Sequence, residues 1–199
     1  MADKTPAIDF SFQSEALAEI RKRLGTLERR APNVQAQALN KTQTVLKKYL
    51  PEQVFRTYTY KARKLQKPTA KRASFRSLSA ILYYKRKNIG LENFDFNPGA
   101  FGNPRNTPGA KFAAKIRNEG DFKSISRMFK MKTGNEEIIM RRDGSKRLPI
   151  RREFGPSESN MVHYAWEDST TQEFTGKTLA AKLDEQIENQ FLKKWGAKR

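Results

Sequence analysis

The sequence predicts an α+β protein. N-terminal helices pack on an antiparallel, partly barrel-like β-sheet, and an amphipathic helix ends the chain. Three observations carry this. Apolar residues recur at spacings of three and four before Pro51 and after Thr178, the helical period. Between about Ser74 and Phe154 they approximate alternation, the strand period. Around Arg147-Leu148-Pro149-Ile150-Arg151-Arg152-Glu153-Phe154-Gly155-Pro156-Ser157 the chain changes from basic and strand-like to less basic and helical. The organisation expected is an arm over 1–13, a single domain over 14–166 and a helical extension over 167–199. The helical part of the domain is 14–66 and its sheet part 70–154.

The elements follow in order. Ile8, Phe10 and Phe12 alternate in the arm, as in a short strand. Ser14 can cap a helix running to about Arg30, with Leu17, Ile20, Leu24 and Leu27 on one face. Glu15 and Glu19 at its start and Arg29-Arg30 at its end suit the helix dipole, and Gly25 weakens it. Pro32 opens a second helix, whose stripe is Val34, Ala38, Leu39, Thr42, Val45, Leu46, Tyr49 and Leu50. Pro51 ends that helix or starts a short third one, to about Lys64. These helices are open to two readings, a helix-turn-helix reader of DNA or an antiparallel pair feeding a sheet.

Lys67-Pro68-Thr69 is a break, followed by a strand from about Ser74 to Lys87. Asn88 and Gly90 mark a turn, and Leu91, Phe94 and Phe96 an extended piece. Residues 97–110 hold three Pro, three Gly and three Asn, which predicts a long loop. Strands follow at Lys111 to Arg117, Phe122 to Met131, and Glu137 to Arg142. The Asp143-Gly144 turn pairs the last of these with Arg147 to Arg151. Pro149 lacks a ladder donor, so this piece reads as an edge or a strand start. Gly155-Pro156 stops it, and Pro156 is placed in the first turn of a helix that Ser157 or Ser159 caps. Thr170-Thr171 and Gly176 break that helix before a final one, about Thr178 to Trp195, with Leu179, Leu183, Ile187, Phe191 and Leu192 as its seam.

Charge is the strongest global signal. Among 199 residues, 40 Lys and Arg face 21 Asp and Glu, a net charge of +19. Such an excess points to a polyanionic neighbour, nucleic acid or an acidic protein surface, or else to a solvated basic surface. Between Glu52 and Glu92 there is no acidic residue, while Arg63, Lys64, Lys71 and Arg72 lie among the cations there. Glu153 to Glu188 is richer in carboxylates, so copies could pack head to tail.

No cysteine is present and His163 is the only histidine, so a zinc site of Cys and His is excluded. No nucleophile-elbow or phosphate-loop pattern is found: the first glycine that Gly176-Lys177-Thr178 would need falls at Thr171. No enzyme and no cofactor are expected. No apolar run reaches the roughly 20 residues of a membrane span, and no membrane partner is expected.

Ile138-Ile139-Met140-Arg141-Arg142, the Asp143-Gly144-Ser145 turn, Arg147-Leu148-Pro149-Ile150 and Phe154-Gly155-Pro156-Ser157 resemble the C-terminal signature of the phage minor tail protein Z family. Ala38-Leu39-Asn40-Lys41 resembles a helical step of the same family. The likeness covers roughly residues 30–165 and is tightest over 137–161. The resemblance implies a tail-completion protein of long-tailed phages, a homohexameric ring at the head-proximal end of the tail that mediates head–tail joining. Its implied partners are its own copies, the tail terminator, the head–tail connector, the tape measure and the genomic DNA in the channel. Its place is the virion, after assembly in the host cytoplasm.

On that reading Arg63, Lys64, Lys71, Arg72, Arg141, Arg142, Arg147, Arg151 and Arg152 contact DNA phosphates or acidic partners. The signature arginines are equally open to being merely solvated. Asn97, Pro98, Phe101, Pro104 and Pro108 in the long loop would reach a neighbouring subunit. The alternative is a non-specific nucleic-acid-binding protein in which Tyr58, Tyr60, Tyr83 and Tyr84 act as stacking platforms among basic residues.

Overall fold

The computed structural model describes residues 7–11, 14–62, 64–96, 112–125, 127–144 and 146–196. Arg63 and the predicted loop contacts Asn97, Pro98, Phe101, Pro104 and Pro108 lie outside them. The described chain is mixed helix and strand with antiparallel sheets, an α+β arrangement. In order it runs β1 (Ala7–Ser11), α1 (Ser14–Leu24), a 3₁₀ helix (Gly25–Arg30), α2 (Ala31–Thr57), β2 (Thr69–Lys71) and β3 (Ser79–Tyr83). Next come β4 (Ile89–Gly90), a 3₁₀ turn (Leu91–Asn93), β5 (Asp95–Phe96), β6 (Phe112–Lys115), β7 (Lys123–Ile125) and β8 (Met128–Thr133). Then follow β9 (Glu136–Arg142), β10 (Ile150–Arg152), β11 (Phe154–Gly155), α3 (Glu158–Glu167) and α4 (Ser169–Gly196). The chain divides into two compact units.

The first unit takes Met1–Leu50, Lys67–Lys85 and Val162–Arg199. Its apolar core gathers Ile20, Leu24, Ala31, Val34, Ala38, Leu183 and Ile187, with Leu27 and Phe191 against it. Each buried Leu, Ile or Val contributes about 1.5–3 kcal/mol. All but Ala31 are positions that the helical spacing picks out. Leu192, also placed on the C-terminal seam, is 68% exposed instead. Tyr49 stacks on Phe174 with centroids 3.9 Å apart. A sheet of order β1-β3-β2 completes the unit, with Ile8, Phe10, Ala80 and Leu82 buried on one face.

Three expectations are corrected here. The first helix does not run to Arg30: Gly25 takes φ +50°, a left-handed conformation that glycine adopts at little penalty, and the chain tightens into a 3₁₀ turn. The second does not end at Pro51. The proline lies inside α2, and the buried Leu50 and Val54 on either side anchor the helix through the missing N–H. Nor do Thr170-Thr171 and Gly176 break the last helix. Thr171 and Thr175 are buried within α4, and the Thr175 hydroxyl returns a hydrogen bond to the Thr171 carbonyl at 2.7 Å.

The second unit takes Pro51–Gln66 and Arg86–Met161. Its strands form sheets of order β10-β9-β8, β11-β4 and β5-β6-β7. The predicted hairpin is present, with Arg141 opposite Arg151 in β9 and β10. The single strand expected from Phe122 to Met131 is two, β7 and β8, because Arg127 turns the chain at φ +63°. No third helix follows Pro51. From Tyr58 onward the chain is extended, and the Thr59 N–H donates to the Ile116 carbonyl at 3.0 Å and the Lys61 N–H to that of Asn93 at 2.8 Å.

The end of α2 in this unit is closed by Asn118. Its Nδ2 donates to the carbonyls of Phe55 (3.2 Å) and Arg56 (2.6 Å), and its N–H to that of Thr57 (2.8 Å). One residue thus satisfies three carbonyls that a helix end leaves open. Thr59 plays a similar part: its hydroxyl donates to the Lys115 carbonyl and accepts from the Asp95 N–H at 3.2 Å. Pro156 precedes α3 rather than opening it. The cap is Ser157, whose Oγ accepts from the Asn160 N–H at 3.3 Å.

Candidate polyanion-binding surface

In the first unit β2 is an edge strand, paired only with β3. Lys71 stands on its exposed face, and Lys67 and Arg72 flank it, both exposed. Thr69 lies opposite Tyr83, so Lys67 and the exposed Lys85 leave the same end of the β2–β3 pair. At the other end Ser74–Ser77 make a tight turn: the Ser77 N–H donates to the Ser74 Oγ at 3.1 Å, and the Ser74 N–H to the Ser77 carbonyl at 2.9 Å. It carries Phe75, 59% exposed, with the Arg76 guanidinium 5.3 Å from its ring centroid. From Lys67 to Arg72 an extended chain covers about 17 Å. Duplex DNA carries on the order of ten charges over that length.

Two polar residues of α2 hold this strip in place. The Asn40 amide is bidentate on Ala73: Nδ2 donates to its carbonyl at 3.0 Å, and Oδ1 accepts its N–H at 2.9 Å. The Gln43 Nε2 donates to the carbonyls of Lys71 and Ile81, both at 3.0 Å. Gln43 is 1% exposed, so its amide is committed to the sheet. Asn40 belongs to the Ala38–Lys41 step; the following Lys41 is ion-paired to Glu185 of α4. Spacing alone marks Thr42 and Leu46 as buried but offers no sign that Gln43 is, because a glutamine in a helix reads as surface.

Three of the four carboxylates of α4, in the same unit, are ion-paired. Asp184 pairs with Arg23 at 2.7 Å, Glu173 with Lys177 at 2.5 Å, and Glu185 with Lys41 and Lys182. Hydrogen bonds from Lys182 and Lys41 hold the Glu185 carboxyl down at about 2. Glu188, the fourth, makes no ion pair among the described residues. Most of the acidic charge of α4 is therefore compensated within the unit.

In the second unit, Lys64 and Arg147 are exposed. The other predicted contacts of the signature hold partners within the unit. Arg141 Nε is 2.7 Å from Glu153 Oε1; Arg151 Nε is 3.0 Å from Asp143 Oδ1 and 3.4 Å from Glu153 Oε1. Arg152 pairs with Glu92, and Arg142 donates to the Arg147 carbonyl at 2.5 Å while lying over the Phe129 ring. Each of these arginines braces the β9–β10 hairpin or its flank, and Arg151 and Arg152 remain 54% and 40% exposed at the side chain.

Of the four tyrosines read as stacking platforms, Tyr58 and Tyr84 are buried, at 6% and 2%, and Tyr83 is exposed at 37%. Tyr60 is half-buried and donates to Glu158 at 3.3 Å. Burial and the Glu158 charge push its hydroxyl up to about 12. Phe75, more exposed than Tyr83 and beside Arg76, is an aromatic that the tyrosine-centred reading missed. Among the described residues no group of three or more His, Asp or Glu side chains gathers as a metal site would need, and no helix is long and apolar enough to cross a membrane. Comparisons with family models, curated proteins and solved structures return no match for this chain.

Proposed function

We propose that this protein is a structural virion component that completes a phage tail, forms a ring at its head-proximal end and joins it to the head. The barrel-like closure of the sheets and the six-fold ring belong to this reading, which rests on the resemblance at residues 38–41 and 137–161. The observation that carries it further is the basic strip of Lys67, Lys71, Arg72, Arg76 and Lys85. It is exposed, free of acidic residues and fixed by Asn40 and Gln43, while three carboxylates of α4 are neutralised within the unit. A rigid row of cations grips a phosphate backbone or an acidic ring face without reading bases. In a channel that suits DNA that must slide through.

The test is light scattering on the purified protein at low and high salt, with and without duplex DNA. The expected result is a discrete oligomer near six copies with weak, salt-sensitive DNA affinity. Lys71→Glu/Arg72→Glu is expected to weaken that affinity at least tenfold at low salt and to flatten its salt dependence. A monomer that binds duplex at sub-micromolar strength near physiological salt would overturn the ring in favour of a dedicated nucleic-acid binder. Phe75 beside Arg76 favours that second reading, since an exposed ring next to a cation is a seat for an unpaired base.

A further inference from the structure

The second unit holds a cavity of about 280 Å³ lined by Tyr60, Lys87, Asn93, Arg152, Phe154 and Glu158, among others. Glu158 is 4% exposed and is the one charged side chain so deeply buried among the described residues. Its Oε1 accepts from the Tyr60 hydroxyl at 3.3 Å and its Oε2 from the Gln66 N–H at 2.9 Å. Both donors are neutral, and among the described residues no cation lies within ion-pair distance of it. A carboxylate offers about four acceptor sites, so two remain.

The cations on the wall do not fill them. Arg152 is held by Glu92 and covers the Phe154 ring at 5.7 Å, and Lys87 is exposed. The free Oε2 of Glu92 is buried without a hydrogen-bond partner and lies over Gly90, another residue of the wall. Buried anions are ordinarily paired, because removing a charge from water is expensive unless an opposite charge compensates it. A place in the first turn of α3 compensates Glu158 only in part.

We infer that this cavity receives the guanidinium or ammonium head of an extended side chain, seated on the Glu158 carboxylate and flanked by the Phe154 face. The volume admits one such side chain. The aromatic wall, 47% exposed at Phe154, supplies the cation–π contact that a desolvated cation gains from a ring. Tyr60 keeps its proton at neutral pH, so it presents a donor to Glu158 and a lone pair to the incoming head. The inference does not depend on the basic strip of the other unit or on a ring.

The experiment is an NMR titration of the full chain with N-acetyl-arginine-N-methylamide and with its neutral isostere, N-acetyl-citrulline-N-methylamide. The charged probe is expected to give saturable shifts at residues 60, 66, 88–93 and 154–158, at least tenfold tighter than the neutral one. This comparison on the wild-type protein needs no variant. Glu158→Gln is expected to weaken the charged probe at least tenfold. Equal binding of the two probes, or no saturable shift, would overturn the inference. So would binding that appears only after Lys87→Met, since the chain itself would then supply the cation. A second arm identifies the source. If a second copy provides the side chain, Glu158→Gln lowers the mass seen by light scattering; if another molecule does, the mass is unchanged while probe binding is lost.

Discussion

Each of the two units is stabilised internally by its own means. In the helical unit α1, α2 and α4 satisfy their own backbone groups, and apolar residues at helical spacing close the core. In the strand-rich unit the strands run from two to seven residues in three small sheets, too short to satisfy the chain by ladders alone. Polar side chains do that work: Asn118 on the end of α2, Thr59 between Lys115 and Asp95, Glu158 on Gln66. Ion pairs differ in the same sense. Around α4 they join exposed helix surfaces, whereas Arg141, Arg151 and Arg152 brace a hairpin with Glu153, Asp143 and Glu92. Where regular structure is long, apolar residues specify the fold. Where it is short, polar residues must, because every buried N–H and C=O still needs a partner.

That contrast can be broken most strongly at Leu24, 1% exposed in the helical core. Leu24→Ala is expected to cost about 2–5 kcal/mol, transfer plus cavity, read as a lower urea midpoint. A loss under about 1 kcal/mol would mean that the core tolerates a void and the contrast fails.

The strand-rich unit has its own tight place. A Cβ on Gly155 would collide with the ring of Phe94, which is 0% exposed and cannot move into solvent. Gly155→Ala is expected to cost about 1–3 kcal/mol, with faster amide exchange at Leu91 and Glu153, whose backbones bond to each other and to Ile139. Unchanged exchange there would show that Phe94 repacks freely.

The smallest effect is at the exposed pairs. Glu185 is held at about 2 against an ordinary 4.5. A lowered folded value means that its contribution is present above about 4.5 and is lost as pH falls towards about 2. Glu185→Gln is expected to remove that part of the acid sensitivity, and salt to diminish it, since water and ions screen the pair. The side-chain carboxyl carbon of Glu185 should titrate near 2 in NMR; a midpoint at the ordinary value would break the assignment to Lys41 and Lys182.

Much of the fold is legible along the chain. The stripes of α1, α2 and α4 are regular enough that Ile20, Leu24, Val34, Leu183 and Ile187 could be named as core. The Asp143-Gly144 turn announces the β9–β10 hairpin. The misread boundaries fall where a local signal competes with distant packing, as at Pro51, where Leu50 and Val54 outweigh the lost hydrogen bond. The candidate surface was half legible: Lys71 and Arg72 stand out as cations without acids, but Phe75 and the Asn40 and Gln43 clamps do not.

By itself the sequence determined the helical and strand periods, the acid-free cationic stretch and its excess charge, since these depend on neighbours within a few residues. The tertiary structure alone decided which polar groups go inside and whom each charge meets. Asn40 finds Ala73, Glu158 finds Tyr60 and Gln66, and Lys41 finds Glu185. Those partners are between 33 and 144 residues apart, and no local period connects them. A polar side chain reads alike along the chain whether it faces water or a buried carbonyl, and only packing tells the two apart.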